Sequence, residues 1–244
     1  MKTWVVLNDI QLGFEDKPVL WELVVPFIHK LKPDGIVLNG DIVDCYSISS
    51  HRTRFEVKLE TNLQTEMMKA QELMEEFSFI PLRWWLGGNH EARWANLIAD
   101  RVPELGVIAK LSFPEVFGLA QYGFKWKEYG EYVKLGKLTV THGNIVRKHS
   151  AYTAKAHFDK YGTSVLHGHT HRLGSYFHTN LGGAHGAWEN GCLCTLDGLG
   201  YTKHPDWQQG FAVVHVGEGG VFNVQQPVVL ERRKLWYGRE LWER

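Results

Sequence analysis

The stretch Gly35-Ile36-Val37-Leu38-Asn39-Gly40-Asp41-Ile42-Val43-Asp44 decides how the chain is read. Gly35–Leu38 is a short apolar run of the kind that forms a buried strand. It stops at Asn39-Gly40-Asp41, which taken alone is only a turn signal. The same event recurs along the chain. Trp4–Leu7 ends at Asn8-Asp9, and Pro81–Leu86 ends at Gly87-Gly88-Asn89-His90. A hairpin over Tyr132–Thr141, turning at Gly136, ends at His142-Gly143. Ser164–Leu166 runs into His167-Gly168-His169-Thr170-His171. In open α/β sheets, side chains beyond the carboxyl ends of different strands meet at one site. Five polar clusters at five strand ends therefore predict a shared site.

The segments between these strands read mostly as helices. Pro18–Leu31 is predicted helical, with Pro26 as a kink. Leu59, Leu63, Met67, Ala70, Met74 and Phe77 recur at helical spacing, which predicts an amphipathic helix over Glu56–Phe77. Shorter helices are expected at Glu91–Ile98 and Tyr152–Tyr161. Further strands are expected at Leu173–His178, Ala187–Thr195, Phe211–Val216 and Val221–Leu230. A β-α-β-α-β run followed by strands predicts an α/β fold, two packed mixed β-sheets flanked by helices. With no repeat, low-complexity tract or Pro/Gly/Ser linker, residues 1–244 read as one domain.

Composition narrows the partners. Lys plus Arg (27) equals Asp plus Glu (27), so bulk charge gives no case for non-specific nucleic-acid or membrane binding. A local basic groove stays open. The N-terminal apolar run Trp4–Leu7 is too short for the core of a signal peptide. No stretch approaches the roughly 20 apolar residues of a membrane span. The expectation is a cytoplasmic protein with no membrane partner. The three cysteines, Cys45, Cys192 and Cys194, show no disulfide or C-x-x-C pattern and read as reduced thiols. Cys192 and Cys194 would share one face of a strand, but the sequence offers no nearby partner pair for a soft metal.

Together, Asp9-Ile10-Gln11, Gly40-Asp41-Ile42-Val43-Asp44, Gly88-Asn89-His90-Glu91, His142-Gly143 and Gly168-His169-Thr170-His171 resemble the calcineurin-like metallophosphoesterase superfamily. Its pattern is D-x-H, G-D-x-x-D, G-N-H-E/D, a lone H, then G-H-x-H. The resemblance implies an αββα sandwich and two divalent cations, roughly 3.5–4 Å apart, clamping a phosphoryl group. It implies that Asp41 bridges the two, since a carboxylate offers one oxygen to each. Asp9 and His171 would complete one site; Asn89, His142 and His169 would complete the other. Imidazole, amide and carboxylate donors suit Mn foremost, with Mg, Fe, Zn or Ni as alternatives. Water held by such ions has its pKa lowered from 15.7 towards roughly 7, which supplies a hydroxide nucleophile. His90 would be the general acid for the leaving oxygen. Asp44 would hold the far nitrogen of His90, or would instead cap the next helix. Glu91 reads as structural.

The chain departs from the pattern at Gln11, where the family usually has His. Gln11 either binds a metal through its amide oxygen or hydrogen-bonds a bound water. The Asp-x-Gln variant resembles a subset of Mn-dependent ADP-ribose/CDP-alcohol diphosphatases, which implies a nucleotide-like phosphodiester or pyrophosphate substrate. Residues that would choose the substrate are His51, Arg52, Arg54, Arg93, Trp94, Asn144, Arg147, Lys148, Arg172 and Trp207; the bland reading of each is surface or packing. Two rivals remain: a DNA nuclease of the same superfamily, and a non-catalytic scaffold like the related retromer subunit.

Overall fold

The computed structural model describes residues 1–50, 62–197 and 205–243. The expected loop residues His51, Arg52 and Arg54, and positions 56–61 of the expected long helix, lie outside the described residues.

Strand β1 (Lys2–Leu7) shows why the fold is layered. Val5 and Leu7 join one apolar cluster while Trp4 and Val6 join another. Successive side chains of a strand point to opposite faces, so β1 is covered on both sides. Strands β2 (Gly35–Asn39) and β3 (Leu82–Leu86) follow in parallel, with Val5 opposite Ile36 and Val37 opposite Trp84. Strand β4 (Lys125–Lys127) adds in parallel at the edge. The second sheet holds β5 (Val133–Leu135), β6 (Leu138–Thr141), β7 (Val165–His167), β8 (Leu173–Asn180) and β9 (Gly183–Asn190), in the order β5-β6-β7-β9-β8. The chain then returns to the first sheet through β10 (Ala212–Val216) and β11 (Phe222–Gln225), giving the order β11-β10-β1-β2-β3-β4.

Helices close the outer faces. Helix α1 (Val25–Leu31) places Phe27 and Ile28, and α2 (Leu63–Glu76) places Ala70, Leu73 and Met74, against Val5, Leu7, Ile36, Leu38 and Trp85. Asn62 Oδ1 caps α2 by accepting from Thr65 N at 2.9 Å. Then come α3 (Ala92–Arg101) and the single turn α4 (Phe113–Val116). Helix α5 (Tyr152–Tyr161) lays Ala154 and Phe158 on Val165 and Ala187 of the second sheet. Between the sheets, Trp4, Val6, Val37 and Leu86 meet Leu138, Val140, Leu166 and Trp188. The layers are α, β, β, α, as the sequence led one to expect.

Three expectations are corrected. Pro18–Leu31 is not one kinked α-helix: Pro18–Val24 is π-helical and α1 begins at Val25. Pro26, which has no N–H to donate, sits in the first turn of α1. The strand expected over Ala187–Thr195 ends at Asn190, because Gly191 turns the chain with a φ of +68°. Cys192 and Cys194 then make only isolated bridges, to Gln209 and Glu15. The strand expected over Val221–Leu230 is split at Pro227 into β11 and β12 (Val228–Leu230). Strand β12 opens a small third sheet with β13 (Lys234–Tyr237) and β14 (Glu240–Glu243), from which Tyr237 and Trp242 pack edge-on against Phe27. No helix among the described residues is long and apolar enough to cross a membrane.

Candidate metal centre

Strands β1, β2, β3, β6 and β7 deliver their carboxyl ends to one rim. The loops there are stitched to each other by backbone hydrogen bonds: Asp9 N to Gly40 O at 3.0 Å, Gln11 N to Asp41 O at 3.0 Å, Leu12 N to Ile42 O at 2.8 Å, and Gly168 N to His142 O at 3.0 Å. Five side chains of the expected site stand on left-handed backbone: Asp9 (φ 51°), Gln11 (50°), Asp41 (51°), His169 (72°) and His171 (58°). Each such non-glycine position costs of order 1–3 kcal/mol and persists only where its surroundings impose it.

Glu91 supplies much of that imposition. Its buried carboxylate accepts from Gly88 N (2.7 Å), Asp41 N (2.9 Å), Ile42 N (2.8 Å) and Val43 N (3.4 Å). It thereby pins the loop after β2 to the loop after β3. Gly88 is needed at that seam, since a β-carbon there would sit 2.2 Å from Asp41 Oδ1. Burial and the nearby Asp41 charge push the Glu91 carboxyl up, with the donated N–H groups opposing.

The expected ligands converge. Asp41 Oδ2 is 3.3 Å from His142 Nε2, and Asn89 Oδ1 is also 3.3 Å from that nitrogen. Donor atoms of Asp41, His142 and His169 all lie within 4.8 Å of one another. On the other side, His171 Nε2 is 3.1 Å from Asp9 Oδ1 and 3.3 Å from Gln11 Nε2. His169 N donates to Asp9 Oδ2 at 2.8 Å, which joins the two groups.

Electrostatics and unmet bonding capacity test whether cations fit. Burial alone would raise the Asp41 carboxyl, but His142 and His90 hold it well below the usual carboxylate range. Burial opposes protonation of His142, yet the Asp41 carboxylate outweighs it and pushes the imidazole up to about 10. His171 is likewise pushed up to about 10, its contacts with Cys194 and Asp9 outweighing burial. His169 goes the other way, lowered by burial and by His142. Gln11 Oε1 and His169 Nδ1 are buried without a hydrogen-bond partner, and Asp9 Oδ1 has only the His171 ion pair at 3.1 Å. Buried acceptors are rarely left so. Open acceptors beside carboxylates and imidazoles are bonding capacity that a divalent cation would fill. The carboxylate, amide and imidazole donors fit borderline-to-hard divalent ions.

His90 stands beside this group. Its Nδ1 is 3.1 Å from Asp44 O and 3.2 Å from Asp44 Oδ2, and its Nε2 is 3.7 Å from Asp41 Oδ2. Arg93, expected only as a substrate-loop residue, donates to Asp44 O (2.7 Å) and Asp44 Oδ1 (3.0 Å). Burial lowers the His90 pKa, and Asp41 and Asp44 more than restore it. Arg172 is committed elsewhere: it donates to the carbonyls of Arg147 and Lys148. The Trp207 ring lies 4.3 Å from the His171 ring. Beside Gly87 and Glu91 opens a cavity of about 430 Å³, lined mainly by apolar side chains such as Trp94, Ile98, Phe113 and Trp126, with Tyr129 at its edge.

The chain is similar to several known proteins. The chain is similar to the gene 54 protein of Mycobacterium phage L5, at 30% identity over 236 residues, covering 88% of this chain and 89% of that protein. The gene 54 protein of Mycobacterium phage D29 is 29% identical over 247 residues, covering 93% of this chain and 94% of that protein. Among solved structures, Chaetomium thermophilum Vps29 overlaps 93% of this chain and 97% of its own with a TM-score of 0.39 and 10% identity. Protein TM1076 of Thermotoga maritima overlaps 94% of this chain and 100% of its own with a TM-score of 0.37 and 13% identity. The model of the calcineurin-like phosphoesterase family matches residues 3–173, the span that carries all five clusters, and the chain belongs to that family.

Proposed function

We propose that this protein is a metal-dependent phosphoesterase that hydrolyses a phosphodiester or pyrophosphate bond in a nucleotide-like substrate. One observation carries the reading: seven side chains from five strand ends meet with the buried Gln11 Oε1 and His169 Nδ1 unpartnered, and His90 stands at their edge. In this reading Asp9, Gln11, Asp41 and His171 hold one cation, and Asp41, Asn89, His142 and His169 hold the other. Gln11 is taken as a ligand because its Oε1 is buried and unpartnered. When bound, such a cation pair neutralises phosphoryl charge and acidifies water. Manganese suits the mixture of carboxylate, amide and imidazole donors.

The chain's own groups do the rest. Asp44 accepts a hydrogen bond from His90 Nδ1 and so fixes the ring, leaving Nε2 turned towards Asp41. Asp41 and Asp44 raise the His90 pKa, which favours a proton on Nε2 for the leaving oxygen, and Arg93 Nη2 stands 3.2 Å from that nitrogen. Arg93 holds the Asp44 carboxylate from the other side. The 430 Å³ cavity includes Glu91 and Tyr129 in its lining but none of the seven proposed ligands, and we assign it to a second organic group of a diester. We read residues 1–244 as one domain, because β10 and β11 complete the first sheet and Trp242 packs on α1. Its buried thiols support a reducing, cytoplasmic setting.

The test is hydrolysis of bis-p-nitrophenyl phosphate and p-nitrophenyl phosphate with added Mn, Mg, Ni or Zn. The expected result is Mn-dependent turnover of the diester. No turnover with any of the four ions would overturn the reading. A nucleoside diphosphate ester run beside single- and double-stranded DNA separates a small-molecule enzyme from a nuclease.

A further inference from the structure

A second set of donor atoms lies behind His171. After Gly191, Cys192 and Cys194 follow the end of β9 and turn their sulfurs to the far side of that imidazole. One His171 nitrogen, Cys192 Sγ and Cys194 Sγ all lie within 4.8 Å of one another, and all three side chains are buried. Phe14, Leu196 and Trp207 pack around the two cysteines.

The spacing is informative. In a tetrahedral zinc site, bonds of about 2.3 Å to sulfur and 2.0–2.1 Å to nitrogen put S and N roughly 3.6 Å apart. Cys194 Sγ stands 3.7 Å from His171 Nδ1. Cys192 Sγ stands 3.7 Å from the carbonyl oxygen of Gln208, which offers a further donor at the same spacing. The sequence showed the thiol pair but no partner; the fold supplies one from 21 residues upstream of Cys192, in the loop after β7.

The two sides of His171 differ in kind. Its Nε2 faces the Asp9 carboxylate and the side-chain amide of Gln11, groups whose oxygens suit hard ions. Its Nδ1 faces sulfur, which selects Zn, Cd or Cu(I) over Mn and Mg. We propose that His171, Cys192 and Cys194 form a separate site for a thiophilic cation of the Zn²⁺ or Cd²⁺ class, sharing His171 with the candidate phosphoesterase centre. Binding there releases the two thiol protons and the Nδ1 proton of His171 to solvent, and engages His171 from behind. Soft cations therefore inhibit the Mn-loaded protein. The inhibition rests on the proposed function; the site does not.

The experiment titrates the reduced, metal-free full chain with Cd²⁺ and with Co²⁺. A thiolate-to-metal charge-transfer band saturating at one equivalent is expected, with none for Mn²⁺, since no cysteine lies in the other ligand set. Cys192→Ser and Cys194→Ser should each weaken the band strongly, while Cys45→Ser should keep it. Because buried substitutions threaten folding, X-ray absorption of the zinc-loaded wild type gives an independent reading: sulfur scatterers at about 2.3 Å. In the turnover assay, Cys194→Ser should need at least about tenfold more Cd²⁺ for half-inhibition. Absence of both the band and the sulfur scatterers overturns the site, even if Mn-dependent turnover is present. A band in a protein inactive with every metal leaves the site standing and removes the phosphoesterase reading. A band with unchanged inhibition in Cys194→Ser overturns the coupling through His171.

Discussion

The two halves of the candidate centre are built differently. Around Asp41, His142 and His169 the donors are a carboxylate and imidazoles, with Asn89 adjoining, and Glu91 locks the underlying loop through four backbone N–H groups. Around Asp9 the donors are one carboxylate, the amide of Gln11 and an imidazole whose other nitrogen rests on a thiol. A metal-bound histidine normally donates its remaining N–H to a carboxylate or carbonyl, which raises its basicity. His142 has that support from Asn39 O at 2.9 Å; His171 has a sulfur at 3.7 Å instead. This difference predicts that a cation at the Asp41 half would be held more firmly than one at the Asp9 half.

The largest effect that would break this contrast is at Asp41, the residue we propose both halves share. Asp41→Ala should lower turnover about 10³-fold or more, the loss of several kcal/mol of charge stabilisation. Metal analysis should then find both cations depleted; loss of one only would mean that Asp41 is not a bridge. His90→Asn should cost about 10²–10³-fold in kcat on a diester with a poor leaving group and far less on a nitrophenyl ester. Metal content should stay at the wild-type level, and a loss would make His90 part of the ligand set. Asp44→Asn should act in the same direction by about 10–100-fold.

Acidity gives the next test. Metal-free His142 and His171 are each pushed up to about 10, from an ordinary value near 6.5. A raised imidazole stabilises the metal-free fold below pH 6.5 and ceases to do so as pH rises to about 10. Cations must displace the same protons. Thermal melts of the metal-free chain should therefore soften, and Mn affinity by calorimetry should climb, across that window. An affinity flat in pH would mean that neither imidazole binds metal. The smallest change is Gln11→His, which should tighten the Asp9 half by about tenfold, or ~1.4 kcal/mol, and narrow the gap between the halves. Sequential Mn isotherms that merge in the variant would show it.

Much of this layout was legible in the sequence because it follows from strand periodicity. The apolar runs Trp4–Leu7, Gly35–Leu38 and Pro81–Leu86 end where the strands end, give or take a residue, and their polar tails reach one rim. Other parts were hidden for physical reasons. The four N–H groups that Glu91 accepts come from backbone, which no side-chain pattern reports. Residues 103–122 form short 3-10 turns and the single turn α4, with Pro103, Gly106, Pro114 and Gly118 breaking any period. Cys192 and Cys194 looked like one strand face because nothing in their spacing reveals the turn at Gly191. Their approach to His171 depends on tertiary packing.

The left-handed backbone at Asp9, Gln11, Asp41, His169 and His171 has a consequence for how this protein tolerates mutation. At each of these positions glycine relieves the backbone and abolishes a donor atom. Selection for heat resistance alone would drift towards glycine at the rim, and selection for turnover would drive the same codons back. A library of this chain sorted first for melting temperature and then for catalysis should show opposite enrichments at those five positions and at few others.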